Sequence, residues 1–256
     1  MCTVSWTACR GGYDLFFNRD ELTTRAPENP PYVAQYKDVA YLAPRDGDHG
    51  GTWLLVNHHG LTICLLNDYG LNWRPVASAP LFSRGRVVLA CAALVSPSDA
   101  AGVVGSLPLA RTPAFHLVIL APEEEASVLH WDGAKLSRDH QHINLPLLSS
   151  SSFETTAVVA TRKTKFDSFV QSRDRIKVRE LAAYHRQHDL SCGSYSVLMR
   201  RANAATRSIT HITVRNRTVA MNYKPLSWTP LGPVVSATKI LTLPRQRGAT
   251  CMGLSL

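Results

Sequence analysis

The sequence predicts an α+β fold in which antiparallel sheets are covered by helices. Strand-like and helix-like stretches come in blocks, ordered strands, helices, strands, helix, strands, rather than alternating as a parallel sheet requires. Glycine-bearing connections, Arg10-Gly11-Gly12, Asn57-His58-His59-Gly60 and Asp132-Gly133, lie between strand-like runs and read as hairpin turns. A chain of 256 residues that is 45% hydrophobic can bury one sizeable core, so residues 1–256 are read as a single domain.

Taken in order, Thr3 to Ala8 and Tyr13 to Asn18 are two strands of a hairpin, with the glycines free to take positive φ at the turn. Ala26 to Pro31, with three prolines, and the Asp- and Gly-rich Pro44 to Gly51 read as loops. Leu54 to Val56 and Leu61 to Leu66 form a second hairpin, closed by Asn67-Asp68. Arg84 to Val95 and Ser98 to Leu107 read as helices, the second opened by Ser96-Pro97-Ser98 as cap and first-turn proline. Phe115 to Leu120, Ser127 to Trp131 and Ala134 to Leu136 return to strand, and serines 149 to 152 read as a polar loop. Lys163 to His188 reads as one helix, with Phe166, Phe169, Val170, Ile176 and Leu181 as its apolar stripe and a basic opposite face. Tyr195 to Met199, Ser208 to Val214, Thr218 to Tyr223 and Val234 to Leu241 read as the closing strands.

Composition removes several function classes. The longest apolar run, Val87 to Val95, is nine residues, too short to span a bilayer. No basic n-region with an apolar h-region opens the chain, so a soluble cytoplasmic protein without a transmembrane segment is expected. Cys2, Cys9, Cys64, Cys91, Cys192 and Cys251 show no CxxC pairing, which argues against a zinc site or a disulfide framework. The pairs His58-His59, His140 with His142 and His185 with His188 lack a third ligand at a recognised spacing, so no metal site is read. No GxGxxG or GxxxxGK[ST] stretch suggests a nucleotide fold, and no nucleic-acid module is recognised. The net charge of +9 lies wholly after Asp189: nine Arg and Lys residues and no acid follow it, whereas the preceding part balances at 19 basic and 19 acidic residues. Such a tail favours an anionic partner, a carboxylate ligand or an anionic amphiphile among them.

The chemistry centres on the first residues. Removal of Met1 from Cys2 would leave a thiol and a free α-amine on one residue, a nucleophile with its own base. The first hairpin brings Asn18-Arg19-Asp20-Glu21 back beside Cys2. Met1-Cys2, Asn18-Arg19-Asp20-Glu21, Gly50-Gly51-Thr52-Trp53-Leu54, Arg84-Gly85-Arg86 and Thr206-Arg207-Ser208 together resemble the NRDE family, also called the transport and Golgi organisation protein 2 family.

That resemblance implies a four-layer αββα sandwich of two antiparallel sheets, similar to the N-terminal nucleophile hydrolases with a cysteine nucleophile. It implies Cys2 as nucleophile, Asp20 as contact of its α-amine, Arg19 and Arg207 as arginines of the site and Asn67 as oxyanion donor. Acylases of that kind carry a second asparagine in mid-chain, where Val159-Ala160-Thr161-Arg162 has none. The implied reaction is amide hydrolysis or acyl transfer on a small amide or acyl substrate, with no cofactor required. An α-amine of pKa about 8 can take the thiol proton, and a thioester then forms and is resolved by water. The alternative implied by the same family is a non-catalytic carrier of haem or a related anionic metabolite or lipid.

Overall fold

The computed structural model describes residues 1–70, 80–139, 145–170 and 176–246. The chain opens with β1 (Cys2–Cys9) and β2 (Gly12–Leu22), joined at Gly11, whose φ of 75° only glycine takes without strain. Alternation in β1 divides its work: Cys2, Val4 and Trp6 enter the central core, while Thr3, Ser5 and Thr7 face the other way. All three hydroxyls are used there: Thr3 pairs with Ser149, Ser5 with His185, and Thr7 donates to the Ile176 carbonyl. A buried polar face is tolerable when each group is bonded.

Next come β3 (Asn29–Tyr36), β4 (Val39–Arg45), β5 (Leu54–Asn57) and β6 (Thr62–Asn67), then α1 (Arg84–Ala90), α2 (Ala100–Gly105), β7 (Phe115–Leu120), β8 (Ser127–Trp131) and β9 (Leu136–Arg138). The rest is β10 (Leu147–Ser150), α3 (Thr155–Phe169), α4 (Val178–His185), β11 (Arg200–Arg201), β12 (Ala204–Val214), β13 (Thr218–Thr229), β14 (Gly232–Val235) and β15 (Lys239–Pro244). One sheet runs β10-β1-β2-β12-β13-β14, with β11 on β12 and β15 on β13; the other runs β3 through β9 in sequence order. All the pairings are antiparallel.

Three apolar clusters show the layering. Val4, Phe17, Leu54, Cys64, Val118 and Ile212 interleave between the sheets. On the far side of the β3–β9 sheet, Leu55, Ile63 and Phe115 meet Val87, Val88 and Val104 of α1 and α2. On the far side of the first sheet, Phe16, Leu147 and Ile209 meet Phe166 of α3 and Leu181 and Tyr184 of α4. This is the αββα sandwich, with the central strands of both sheets buried on both faces.

Several local expectations are corrected. Pro30 and Pro31 open β3 instead of lying in a loop; β3 is an edge strand with an irregularity between Asn29 and Tyr32, where proline costs no ladder bond. Pro44 likewise lies within β4, and the serines of 149–150 pair with β1 as part of β10. The single helix expected over Lys163 to His188 is two, α3 and α4, whose apolar residues converge on one cluster. The expected strand at Tyr195 to Met199 is mostly turn, and the strand at Val234 to Leu241 is split between β14 and β15. The first predicted helix after the second hairpin ends at Ala90, short of Val95.

Candidate functional site

The β1–β2 register sets Cys2 directly opposite Arg19. Because side chains alternate along a strand, the tetrapeptide Asn18-Arg19-Asp20-Glu21 is split between two faces. Arg19 and Glu21 share the Cys2 side, while Asn18 and Asp20 point beneath α3 and α4. Cys2, Arg19, Trp53, Asn67 and Arg84 line a cleft of about 690 Å³.

Arg19 is buried and held on several sides. Its guanidinium bonds Asp46 at 3.0 Å, Glu28 at 3.3 Å and Glu21 at 3.4 Å, and its Cζ lies 4.3 Å from the centre of the Trp53 ring. Burial works against the Asp46 carboxylate, but the His49 backbone N–H and the Arg25 and Arg19 guanidiniums outweigh it and hold its pKa below the usual value. The Trp53 indole N–H is buried and has no acceptor among the described residues.

Asn18 is a structural clamp. Its amide donates to the carbonyls of His185 and Val197 at 2.9 and 3.0 Å, and its oxygen lies 2.8 Å from His185 Nδ1. His185 Nε2 lies 2.8 Å from Ser5 Oγ. This Ser-His-Asn array is sealed in the core, so no substrate reaches it. The His185–His188 pair therefore does not converge on a metal, since His188 Nδ1 instead faces the Leu198 carbonyl. His140 and His142 lie outside the described residues.

Asp20 also serves two faces. Its carboxylate accepts from Thr206 Oγ1 at 2.6 Å and from Arg162 Nη2 at 3.2 Å, all within the buried layer under α3. Its carbonyl accepts from the Met1 α-amine at 3.1 Å, and its N–H donates to the Met1 carbonyl at 2.9 Å. It is thus the main chain of Asp20 that meets the terminal amine. Arg162, just before the basic helix read from Lys163 onward, lies within α3 and is fully buried.

Met1 itself is buried, and its amine is also 3.3 Å from Tyr69 Oη. Burial alone would lower the pKa of that amine; Tyr69, Cys2, Asp20 and Glu21 outweigh it and raise the value to about 10. The Cys2 thiol is raised by burial, against the pull of the adjacent terminal ammonium and Arg19. The nitrogen of Cys2 donates to Ser150 Oγ at 3.2 Å. Asn67 closes the far wall from the end of β6, and its amide donates to Tyr69 Oη at 2.7 Å.

Arg207 stands back from the cleft. It occupies an irregularity in β12, where Thr206 pairs with Asp20 and Ser208 with Arg19, leaving Arg207 as the extra residue. Its Nε lies 3.7 Å from Glu28 Oε2, the same oxygen that holds Arg19. Two further motifs have a backbone explanation. Gly51 and Gly85 are apposed so closely that a Cβ on Gly51 would lie 2.9 Å from the Gly85 Cα. Only glycine at both places lets the start of α1 close one wall of the cleft.

The fold defines the class: a sandwich like that of the N-terminal-nucleophile hydrolases, with Cys2 opening its first strand. A conjugated bile acid hydrolase mutant from Clostridium perfringens has a TM-score of 0.53 at 11% identity, over 96% of this chain and 98% of that one. A second variant of that enzyme has a TM-score of 0.52 at 10% identity, over 99% and 100% of the two chains. The Caenorhabditis elegans N-acylethanolamine-hydrolyzing acid amidase ortholog has a TM-score of 0.54 at 10% identity, over 83% and 92%. At such identities the likeness shows the fold. No curated protein matches the sequence. The family is given by a family model: residues 1–229 match Transport and Golgi organisation 2, and the chain belongs to that family.

Proposed function

We propose that this chain is an N-terminal-cysteine amidohydrolase or acyltransferase acting on a small amide or acyl substrate. The observation that carries the reading is Cys2 on the wall of a cleft of about 690 Å³, a size suited to a small molecule, facing Arg19 and with Asn67 on the same cleft. The structural neighbours are by name a bile acid hydrolase and an acid amidase, which supports an acyl compound as the substrate class.

While Met1 is attached, the Cys2 nitrogen is an amide and cannot act as a base. Its loss turns the same nitrogen, 3.2 Å from Ser150 Oγ, into an α-amine. That amine takes the thiol proton as Sγ attacks the acyl carbon and the carbonyl electrons move to oxygen. Collapse breaks the C–N bond, and the ammonium returns the proton to the departing amine, leaving a thioester. Water, deprotonated by the amine, cleaves the thioester to acid and thiol; another amine in its place gives acyl transfer. The Asn67 amide, released from Tyr69, is the side-chain donor for the oxyanion. Arg207 acts behind Arg19 through Glu28.

Intact mass measures whether Met1 is removed, and fully active protein that retains Met1 overturns the free-amine mechanism. A panel of N-acyl amides separates the rest. Hydrolysis abolished by Cys2→Ser, and reduced about 100- to 1,000-fold in kcat by Asn67→Ala, is the expected result. Turnover that survives Cys2→Ser sinks the proposal.

A carrier reading, for haem or another anionic amphiphile, draws on one observation. Among the described residues no acidic side chain pairs with Arg84 or Arg86, both on the cleft. Saturable haem absorbance changes that are lost in Arg84→Met would favour it, and no saturation at micromolar haem would end it.

A further inference from the structure

We infer that Asp68, His116 and His130 form a binding site for a divalent transition-metal ion of the zinc class, separate from the cysteine cleft and independent of the hydrolase reading. These residues are far apart in sequence, and three neighbouring strands bring them together. Asp68 follows the last residue of β6, and its N–H donates to the Ala114 carbonyl just before β7. His116 of β7 and His130 of β8 are direct cross-strand partners, so their imidazoles stand side by side on one face. Asp68 Oδ2 is 2.8 Å from His130 Nε2 and 3.8 Å from His116 Nε2, and the three ligand atoms all lie within 4.8 Å of one another.

Two imidazoles and one carboxylate are a donor set that suits zinc and related ions and leaves a coordination position for water. The groups behind them point the same way. Asp139 Oδ2 lies 3.7 Å from His116 Nδ1, the nitrogen turned away from Asp68, which is how a carboxylate orients a metal-binding histidine. The other oxygen of Asp68 accepts from the Gly70 N–H at 2.8 Å, fixing the carboxylate. Charge favours a cation as well: Asp68 and Asp139 put two carboxylates around the two imidazoles in a chain of net charge +9.

The rings pack 4.2 Å apart and 7° from parallel. Parallel rings do not aim their lone pairs at one point, so an ion is taken up by rotation of the imidazoles about χ2, with His130 exchanging its Asp68 hydrogen bond for a shared ion. The side chains of Asp68, His116 and His130 are 14%, 17% and 25% exposed, which leaves the site sheltered and open to water.

Chelator-treated protein titrated calorimetrically with Zn²⁺ tests this. One equivalent is expected to bind, with a tetrahedral-type visible spectrum when Co²⁺ replaces it. His116→Ala and His130→Ala are each expected to abolish the stoichiometric step, and Asp139→Asn to weaken it by about 10- to 100-fold. The double variant of His58 and His59 is expected to bind as the native protein does. Ring-nitrogen NMR of the native protein gives a readout that needs no variant: the His116 and His130 signals alone are expected to move at one equivalent. No stoichiometric uptake, uptake that survives His116→Ala and His130→Ala, or movement of other histidine signals instead overturns the inference.

Discussion

Asp20 and Arg162 form an ion pair at 3.2 Å in which both side chains are completely buried. The pair ties Asp20 of the Asn18–Glu21 stretch to a helix more than a hundred residues away, and through the Asp20 main chain it steadies Met1. Arg162 also donates to Thr3 Oγ1 at 2.8 Å and Ser149 Oγ at 3.2 Å, so it links β1, β2 and β10 beneath α3. Removing one partner of such a pair strands a charge in a dry layer. Arg162→Met is therefore expected to cost about 3 to 5 kcal/mol in denaturant unfolding. Adding Asp20→Asn to that variant should recover part of the loss, and strict additivity in the double-variant cycle would show that the pair is not coupled.

The contact between Gly51 and Gly85 gives a second expectation. A Cβ on Gly85 would lie 3.0 Å from the Thr52 nitrogen and 3.1 Å from the Gly51 Cα, both backbone atoms that cannot swing away. Gly85→Ala should destabilise by about 1 to 3 kcal/mol, as overpacking does. Gly102, inside α2, has nothing within 4 Å of the same position. Gly102→Ala should instead stabilise by about 0.5 to 1 kcal/mol. Melting curves for the two alanine variants moving in the same direction would contradict this account.

What was legible in the sequence follows from what periodicity can carry. The Gly11-Gly12 turn fixes the hairpin register, and so the meeting of Cys2 with Arg19 could be foreseen. The separation of Asn18 and Asp20 from Arg19 could not, because β2 is buried on both faces and no alternation of polarity marks them. Arg162 sits next to Lys163 and Lys165, which suggest a solvated helix face, yet three acceptors, Thr3, Asp20 and Ser149, hold it inside. The edge strand β3 was hidden by Pro30-Pro31, which reads as a loop. The trio Asp68, His116 and His130 has no local spacing at all and exists only through strand pairing. In the basic C-terminal quarter, three arginines turn to partners in the fold: Arg207 to Glu28, Arg215 to Asp14, and Arg200 over Trp228.

The shared Glu28 carboxylate predicts different consequences for the two arginines of the site. Arg19 draws the Cys2 thiol downward in pKa and is its cross-strand partner, whereas Arg207 touches Glu28 alone among the described acids. Arg19→Met should therefore slow alkylation of Cys2 by iodoacetamide near neutral pH, since each unit of thiol pKa changes the thiolate fraction about tenfold there. Arg207→Ala should leave the rate within about twofold, because its effect reaches the thiol only through the Glu28 carboxylate and Arg19. Equal slowing by both variants, measured by mass spectrometry of the Cys2 peptide, would place Arg207 closer to the thiol than its 3.7 Å contact with Glu28 implies.

The sealed histidine makes stability depend on acid in a definite direction. Burial, reinforced by His211 and Arg162, lowers the His185 pKa from 6.5 to about 3, so the folded protein keeps it neutral through mild acid. The unfolded chain takes up a proton below about pH 6.5 while the native state does not. Between about pH 6.5 and about 3 the unfolded state thus binds more protons, and stability must fall as pH falls. From pH 7 to pH 5 this one group should remove about 2 kcal/mol from the unfolding free energy. His185→Gln leaves no ring to protonate; it should cost stability at pH 7 through its lost bonds to Ser5 and Asn18, yet show a shallower decline toward pH 5. Urea unfolding at the two pH values measures the difference of slopes directly, and parallel slopes would mean that His185 is already charged in the native core.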